Sequence, residues 1–351
     1  MYMPNCDFFP AFSQNNIPVV LATSNLYAPY AGVFIQSLID HASKNYNYDI
    51  IVFEREVSDE NNRLLKLIGQ GQSNVSIRFY NVKDIFNQID IVKFVTNNSY
   101  PVDTFCQMLA PLVLSKYDRL AAVNVDTLLK RNISDLFEID LGENCLGGVR
   151  DLPWEEWCQN YPERRVFPAL NISVQELCQN VLKLKNPYRV INGGLYLFNA
   201  EKYREVVTSE RILKLLQGSA SICTEDMLVS MLCEGEIEFI DPAWNLVIQP
   251  DSKHLSRRYP VSEEHRKIYE LTFQNPYMLH WAGKPKPWVC PDVPYGSEWW
   301  ETARRTPFMG HILSRMFDAL QTRREYYKNK YGQDVAVWDP IPNVDRSKKE
   351  T

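Results

Sequence analysis

Short apolar runs rich in β-branched residues alternate with longer segments of helical spacing through the first third of the chain. Ile17 to Thr23 predicts a first strand, which ends in Ser24-Asn25-Leu26-Tyr27. Ala28 to Ala42 then carries Tyr30, Phe34, Leu38 and Ile39 at helical spacing, and Tyr48 to Phe53 predicts a second strand. Ser58, with Asn61 after it and Leu64, Leu65 and Ile68 beyond, marks a capped helix whose Asp59 and Glu60 suit the positive end of its dipole. Val75 to Val82 reads as a strand, Val102 to Leu114 as a helix, and Leu120 to Val123 as a buried strand. This alternation predicts an α/β fold with a mainly parallel sheet covered by helices on both faces.

The pattern loosens after Asp126. Cys145 to Arg150 predicts a strand, and Trp154 to Leu184 is mixed and partly helical. Arg189 to Asn199 is a strand interrupted by Asn192-Gly193-Gly194, where paired glycines signal a bulge or a close approach to the backbone. Helices are expected over Glu201 to Leu216 and Thr224 to Cys233, and strands over Glu236 to Ile240 and Tyr277 to Ala282. A Pro-rich connector leads to a helix near Ser297 to Arg305 and a long helix from Met309 to about Tyr331. Met1 to Asn16 is expected to be a loose arm, and Asp339 to Thr351 a disordered tail.

The strand at Leu120 runs straight into Asn124-Val125-Asp126. In open α/β sheets ligands bind beyond the carboxyl ends of the strands, so polar side chains there are candidates for binding. Taken alone, the pair is equally an Asx turn that closes a strand. Thr224, Glu225 and Asp226 similarly read either as a helix cap with acids in its first turn or as a site.

Composition narrows the classes. A net charge of −5 and a pI near 5.7 argue against nucleic acid as a partner. The eight cysteines are scattered without a Cys-x-x-Cys pair, the pattern of reduced thiols in a cytoplasmic protein. No secretory signal and no apolar run long enough to cross a bilayer is found. No Gly-x-Gly-x-x-Gly follows the first strand and no Gly-x-x-x-x-Gly-Lys-Ser/Thr is present, which disfavours a dehydrogenase and a P-loop NTPase.

Six pieces in order give the chain a resemblance to glycosyltransferase family 8. They are Leu21 to Tyr30; Tyr117 to Asp126 with Asp135-Leu136-Phe137; Ile191 to Leu195 with Phe198-Asn199; Glu225-Asp226; Pro242 to Asn245; and His280 to Trp288. The resemblance spans about Ile17 to Pro307 and implies a GT-A fold, Rossmann-like, with retaining transfer from a nucleotide sugar. It divides the chain into an arm (1–16), a GT-A domain (17–290), a helical extension (291–338) and a tail (339–351).

It also implies roles. Asn124, Asp126 and His280 become the metal ligands, for Mn²⁺ or Mg²⁺ bridging a diphosphate. Lys286 would neutralise the phosphates. Ala22, Thr23, Ser24, Asn25 and Tyr27 would hold uracil and ribose, with Tyr27 the candidate stacking ring. Asn192, Gly193 and Gly194 face the donor sugar, and Gln107, Val125 and Gly283 complete the donor-binding set. Glu225 and Asp226 match the positions closest to the anomeric carbon and are the catalytic candidates, Glu225 as nucleophile or ion-pair stabiliser.

Departures from the family pattern cluster at this site. Two loop acids are replaced by Ser24 and Asn25, a helix Arg by Gln107, the motif's first acid by Asn124, an acid by Thr224 and a neutral Gln by Glu225. Acids and the Arg that paired with them are lost together, a coupled replacement that weakens the metal through Asn124. Two readings follow. One is a hexosyltransferase moving glucose or galactose from a UDP-sugar to a surface-glycan acceptor such as lipopolysaccharide. The other is a catalytically degenerate nucleotide-sugar binding or scaffold subunit. Arg323, Arg324, Lys328 and Lys330 among Tyr326, Tyr327 and Tyr331 make the last helix a candidate peripheral membrane contact at the inner face of the membrane, or simply a basic helix end.

Overall fold

The computed structural model describes residues 8–86, 105–166, 171–219, 223–248, 262–283 and 286–331. Twelve strands are present among them: β1 Asn16–Ser24, β2 Asn47–Arg55, β3 Val75–Asn81, β4 Arg119–Val123, β5 Thr127–Leu129, β6 Leu146–Arg150, β7 Arg165–Val166, β8 Ile172–Ser173, β9 Ile191–Asn199, β10 Ile237–Phe239, β11 Leu246–Val247 and β12 Met278–His280. The main sheet has seven, in the order β10-β6-β9-β4-β1-β2-β3. All neighbours are parallel except β9, which runs antiparallel to both β4 and β6. The expected mainly parallel sheet is present.

Helices α1 Ala28–Asp40 and α2 Asp59–Ile68 connect the first strands, and α3 Lys83–Phe86 and α4 Cys106–Val113 precede β4. Then come α5 Leu152–Asn160, α6 Val174–Glu176, which continues as a π-helix over Leu177–Leu182, α7 Ala200–Val206, α8 Ser209–Ser219 and α9 Glu225–Leu232. Leu109 of α4, Tyr203 of α7 and Leu228 of α9 build one core against the sheet. Phe34, Leu65, Trp299 and Phe308 belong to the core on the other face. Phe34 and Phe308 are wholly buried, which stabilises by about 1.5–3 kcal/mol each.

Connections from β1 run outward to β2 and β3, whereas β4 lies on the other side of β1. The chain therefore reverses direction between β1 and β4, and this is where an open α/β sheet opens a crevice at its carboxyl edge. The crevice receives Ser24 to Tyr27 from β1 and Asn124 to Asp126 from β4. A second sheet, β11-β12-β5, closes over it, with His280 of β12 opposite Thr127 of β5.

Some expectations need revision. The helix expected over Glu201 to Leu216 is two helices, because Val207 adopts an extended conformation and the Thr208 hydroxyl accepts from the Arg211 N–H to start the second. Two adjacent β-branched residues, Val206 and Val207, weaken the helix at that point. The arm that reads as loose is tied down over its described part. Phe9 O accepts from Arg78 and from the Tyr117 hydroxyl, and the Ala11 N–H donates to buried Asp49. Residues 339–351 lie outside the described residues, as do the side chains of the basic and aromatic cluster at 323–331. No helix among the described residues is long and apolar enough to cross a membrane.

Candidate active site

The polar motif after β4 turns directly into β5, and β5 pairs with β12. That pairing sets Asp126 beside His280: the Trp281 N–H donates to Asp126 O at 3.1 Å, and His280 Nε2 lies 3.4 Å from Asp126 Oδ1. Lys286 Nζ reaches Asp126 Oδ2 and Trp281 O from the loop that follows, where Gly283 takes a left-handed φ of 72°. Burial opposes the charge on Asp126, but Lys286 and His280 outweigh it and hold the carboxyl below its usual range.

Two side-chain amides fix the orientation of the His280 ring. Asn192 Oδ1 accepts from the Gly194 N–H at 3.1 Å, and Asn245 Nδ2 donates to Asn192 O at 3.3 Å, so both amides are oriented. Their oxygens each lie 3.0 Å from His280 Nδ1. Nδ1 therefore donates to these oxygens, and Nε2 is the ring atom that faces the Asp126 carboxylate. With Nε2 unprotonated, the ring would set a lone pair beside the carboxylate, the arrangement a divalent metal needs here. Among the described residues no three His, Cys, Asp or Glu side chains converge on a metal-sized point. Asn124 Oδ1 accepts from Gln107, and a set of Asn124, Asp126 and His280 would offer one carboxylate, one imidazole and one amide. Such a set fits a hard divalent cation with less charge than two acids would supply.

Gly194 is required by this arrangement, because a Cβ there would meet His280 Nδ1 at 2.3 Å and Asn245 Oδ1 at 2.5 Å. The paired glycines thus answer to close approach and also sit in a bulge: where β6 advances from Gly148 to Arg150, β9 runs from Tyr196 to Ile191, so the extra residues lie in β9. Asn124 N–H donates to Gly194 O at 3.1 Å, and Gln107 Nε2 donates to Asn124 Oδ1 at 2.9 Å.

A carboxyl cluster adjoins this network. Asn192 Nδ2 donates to Asp151 Oδ2 at 3.1 Å, and Tyr196 donates to Glu225 Oε2 at 2.7 Å beneath Gly193. Burial and the Asp226 charge push Glu225 well up. Burial also raises Asp226, and burial with Asp226 pushes Asp151 up to about 6. Glu225 Oε1 is buried without a partner among the described residues. The Thr224 hydroxyl bonds Asp226 Oδ1 and does not cap α9.

Ala22 and Thr23 are buried in β1, Val125 is buried between the two polar side chains, and Tyr27 stands half-buried at the crevice. Burial, then the Asp126 charge, raises the Tyr27 phenol. Asn25 points elsewhere: its Oδ1 accepts from the Ser58 N–H at 3.0 Å and from Asn61 Nδ2 at 2.7 Å, tying the loop to α2. Asp151, Tyr196 and Asn245 join the site without having been singled out for a role. Asp151 carried the signal already used for Asn124, a polar side chain just past the end of a strand.

Residues 18–290 match the family described as Glycosyl transferase family 8. The chain belongs to glycosyltransferase family 8. Its structure is similar to that of the bifunctional glycosyltransferase WbbM, with a TM-score of 0.74 and 24% identity over 88% of this chain and 53% of that one. The galactosyltransferase LgtC, solved with donor and acceptor sugar analogs, gives 0.61 and 18% identity over 83% and 96% of the two chains. A Haemophilus influenzae protein carrying a glycosyltransferase name is 21% identical over 235 residues, 65% of this chain and 62% of its own length. The chain thus spans about half of WbbM and less than two thirds of the Haemophilus protein. The structural likenesses establish the GT-A fold of this family member.

Proposed function

We propose that this family 8 glycosyltransferase is a retaining hexosyltransferase that moves glucose or galactose from a UDP-sugar to a hydroxyl of a surface glycan such as lipopolysaccharide. The observation that carries the reading is His280 Nε2 held against Asp126 with Lys286 alongside. Asn124, Asp126 and His280 would hold Mn²⁺ or Mg²⁺, which supplies Lewis-acid stabilisation of the leaving diphosphate when bound. Lys286 leaves Asp126 for the phosphates and adds a second positive charge where negative charge develops. Tyr27 stacks on the uracil, and Asn192, Gly193 and Gly194 bound the sugar. LgtC, solved with donor and acceptor analogs, is the precedent for both ligands on this fold.

Glu225 stands next to the sugar as a neutral acid. Burial favours its protonated form, in which it would serve as a hydrogen-bonding group in place of the neutral Gln of the family pattern. Asp226 supports Gly193 from the other side of the same helix end. Transfer then proceeds on the front face of the sugar. The bond from the anomeric carbon to the phosphate breaks, the bond to the acceptor oxygen forms on the same face, and the acceptor's proton passes to the departing phosphate.

The amide pair of Gln107 and Asn124 favours a second reading, a nucleotide-sugar binding or scaffold subunit, since it removes charge from the metal position. Calorimetric titration with UDP, with and without Mn²⁺, followed by UDP release from UDP-glucose and UDP-galactose, separates the two. Metal-dependent release supports the transferase. Binding with no release under any donor supports the scaffold.

A further inference from the structure

The loop that follows β1 is held from two sides, and one of them lies outside the matched family residues. Its turn is closed by the Tyr27 N–H on Ser24 O at 3.0 Å, and Asn25 fastens it to α2. Leu26 is 60% exposed, so no side-chain burial fixes the next residue. Its carbonyl instead accepts from the guanidinium of Arg315, in helix Met309–Tyr331, and the charge of that guanidinium also acts on the Tyr30 phenol.

That helix is anchored before it reaches Arg315. Arg305 pairs with Asp40 at the end of α1 at 2.6 Å, Phe308 fills the space over Gly32, and Ile312 is wholly buried. Arg315 comes three residues after Ile312 and so shares its inward face. Its two partners lead into the donor site. Tyr30 packs edge-on against Tyr27 at 5.6 Å and stacks on Trp288 at 3.9 Å, and Lys286 lies over the Trp288 ring at 5.9 Å.

We propose that Arg315 is a positioning residue for the donor: it latches the Leu26 carbonyl so that Tyr27 and the Trp288–Lys286 segment keep their places for the nucleotide. The proposal rests on the reading that Ser24 to Tyr27 holds the uridine. It assigns to the helical extension beyond residue 290 a direct part in donor affinity.

Calorimetric titration of the full chain with UDP, alongside thermal unfolding and donor KM and kcat, tests it on Arg315→Met, which keeps the aliphatic stem, and on Arg315→Lys. Arg304→Met, which breaks an exposed pair with Glu301, is the control. Arg315→Met should weaken UDP binding and raise donor KM about tenfold, as expected for a lost charged hydrogen bond, with kcat unchanged. Arg315→Lys should recover part of the affinity and Arg304→Met should bind as wild type does. Wild-type affinity in Arg315→Met overturns the latch, and so does a lowered melting temperature with affinity intact, which would make the contact purely structural. If the wild-type chain itself fails to bind UDP, the donor reading falls first and the latch falls with it.

Discussion

Gln107 and Asn124 are bonded amide to amide at 2.9 Å, and Gln107 is 1% exposed with its Oε1 buried and unpartnered among the described residues. Where the family resemblance has an Arg and an acid, this chain has two neutral side chains in contact. Changing both together avoids a buried, unpaired charge, which would cost far more than the ion pair contributes.

Asn124→Asp should therefore raise Mn²⁺ affinity by roughly tenfold or more, because ligand charge count sets the strength of a hard-cation site. Gln107 can still donate to the new carboxylate. Gln107→Arg alone should destabilise by about 3 kcal/mol, since its guanidinium would be buried without a counter-charge. The double variant should regain that stability. Titration with Mn²⁺ and denaturant unfolding of the three variants check this; independent, additive effects would refute the coupling.

How much of this was readable beforehand depended on the range of the contact. The strand at Leu120, the motif after it and the Ser58 cap are local patterns, and each stands where the sequence placed it. His280 was assigned through resemblance. Its delivery to Asp126 depends on β5, three residues long, pairing with a strand far along the chain, and so short a run has no periodicity to read. Arg315 was harder still. Its partner is a backbone carbonyl, which any residue would offer, so no side-chain pattern at Leu26 announces it.

Gly194→Ala should displace His280, because the new methyl overlaps both Nδ1 and its Asn245 partner. A loss of about 1–3 kcal/mol is expected from the overpacking. Metal-dependent UDP binding should disappear as His280 moves. Gly310→Ala is the contrast: nothing lies within 4 Å of its added methyl. It should be neutral or stabilise by up to about 1 kcal/mol. Equal melting temperatures for the two variants would contradict the close approach.

Glu225→Gln replaces a buried neutral acid by its neutral isostere. A carboxyl whose pKa is raised in the folded protein stabilises it fully at low pH, and that contribution is lost as pH rises through the folded value. At pH 7 the variant should then be more stable than wild type, by about 1 kcal/mol or more, and below pH 4 the gain should vanish. UDP release should stay within about tenfold of wild type, because no charge is removed from the reacting centre. A drop of a hundredfold or more would restore the nucleophile role.

Asp151 gives a pH signature of its own. Its carboxyl is pushed from an ordinary value of 3.8 up to about 6, first by burial and then by Asp226. Below pH 4 both folded and unfolded chains hold the proton, so its contribution is fully present. As pH rises toward 6 the unfolded chain releases the proton while the folded one retains it, and stability falls by on the order of 3 kcal/mol before levelling off. Asp151→Asn removes that slope. Its side chain meets two donors, the Trp154 N–H at 2.9 Å and Asn192 Nδ2 at 3.1 Å, with only one oxygen, so it also loses a hydrogen bond. That loss is the same at every pH. The variant should accordingly be less stable than wild type at pH 4 and close the gap, or pass it, by pH 7. Unfolding free energies of the two proteins measured from pH 4 to 7 should converge; parallel curves would show that Asp151 is ionised in the folded state throughout.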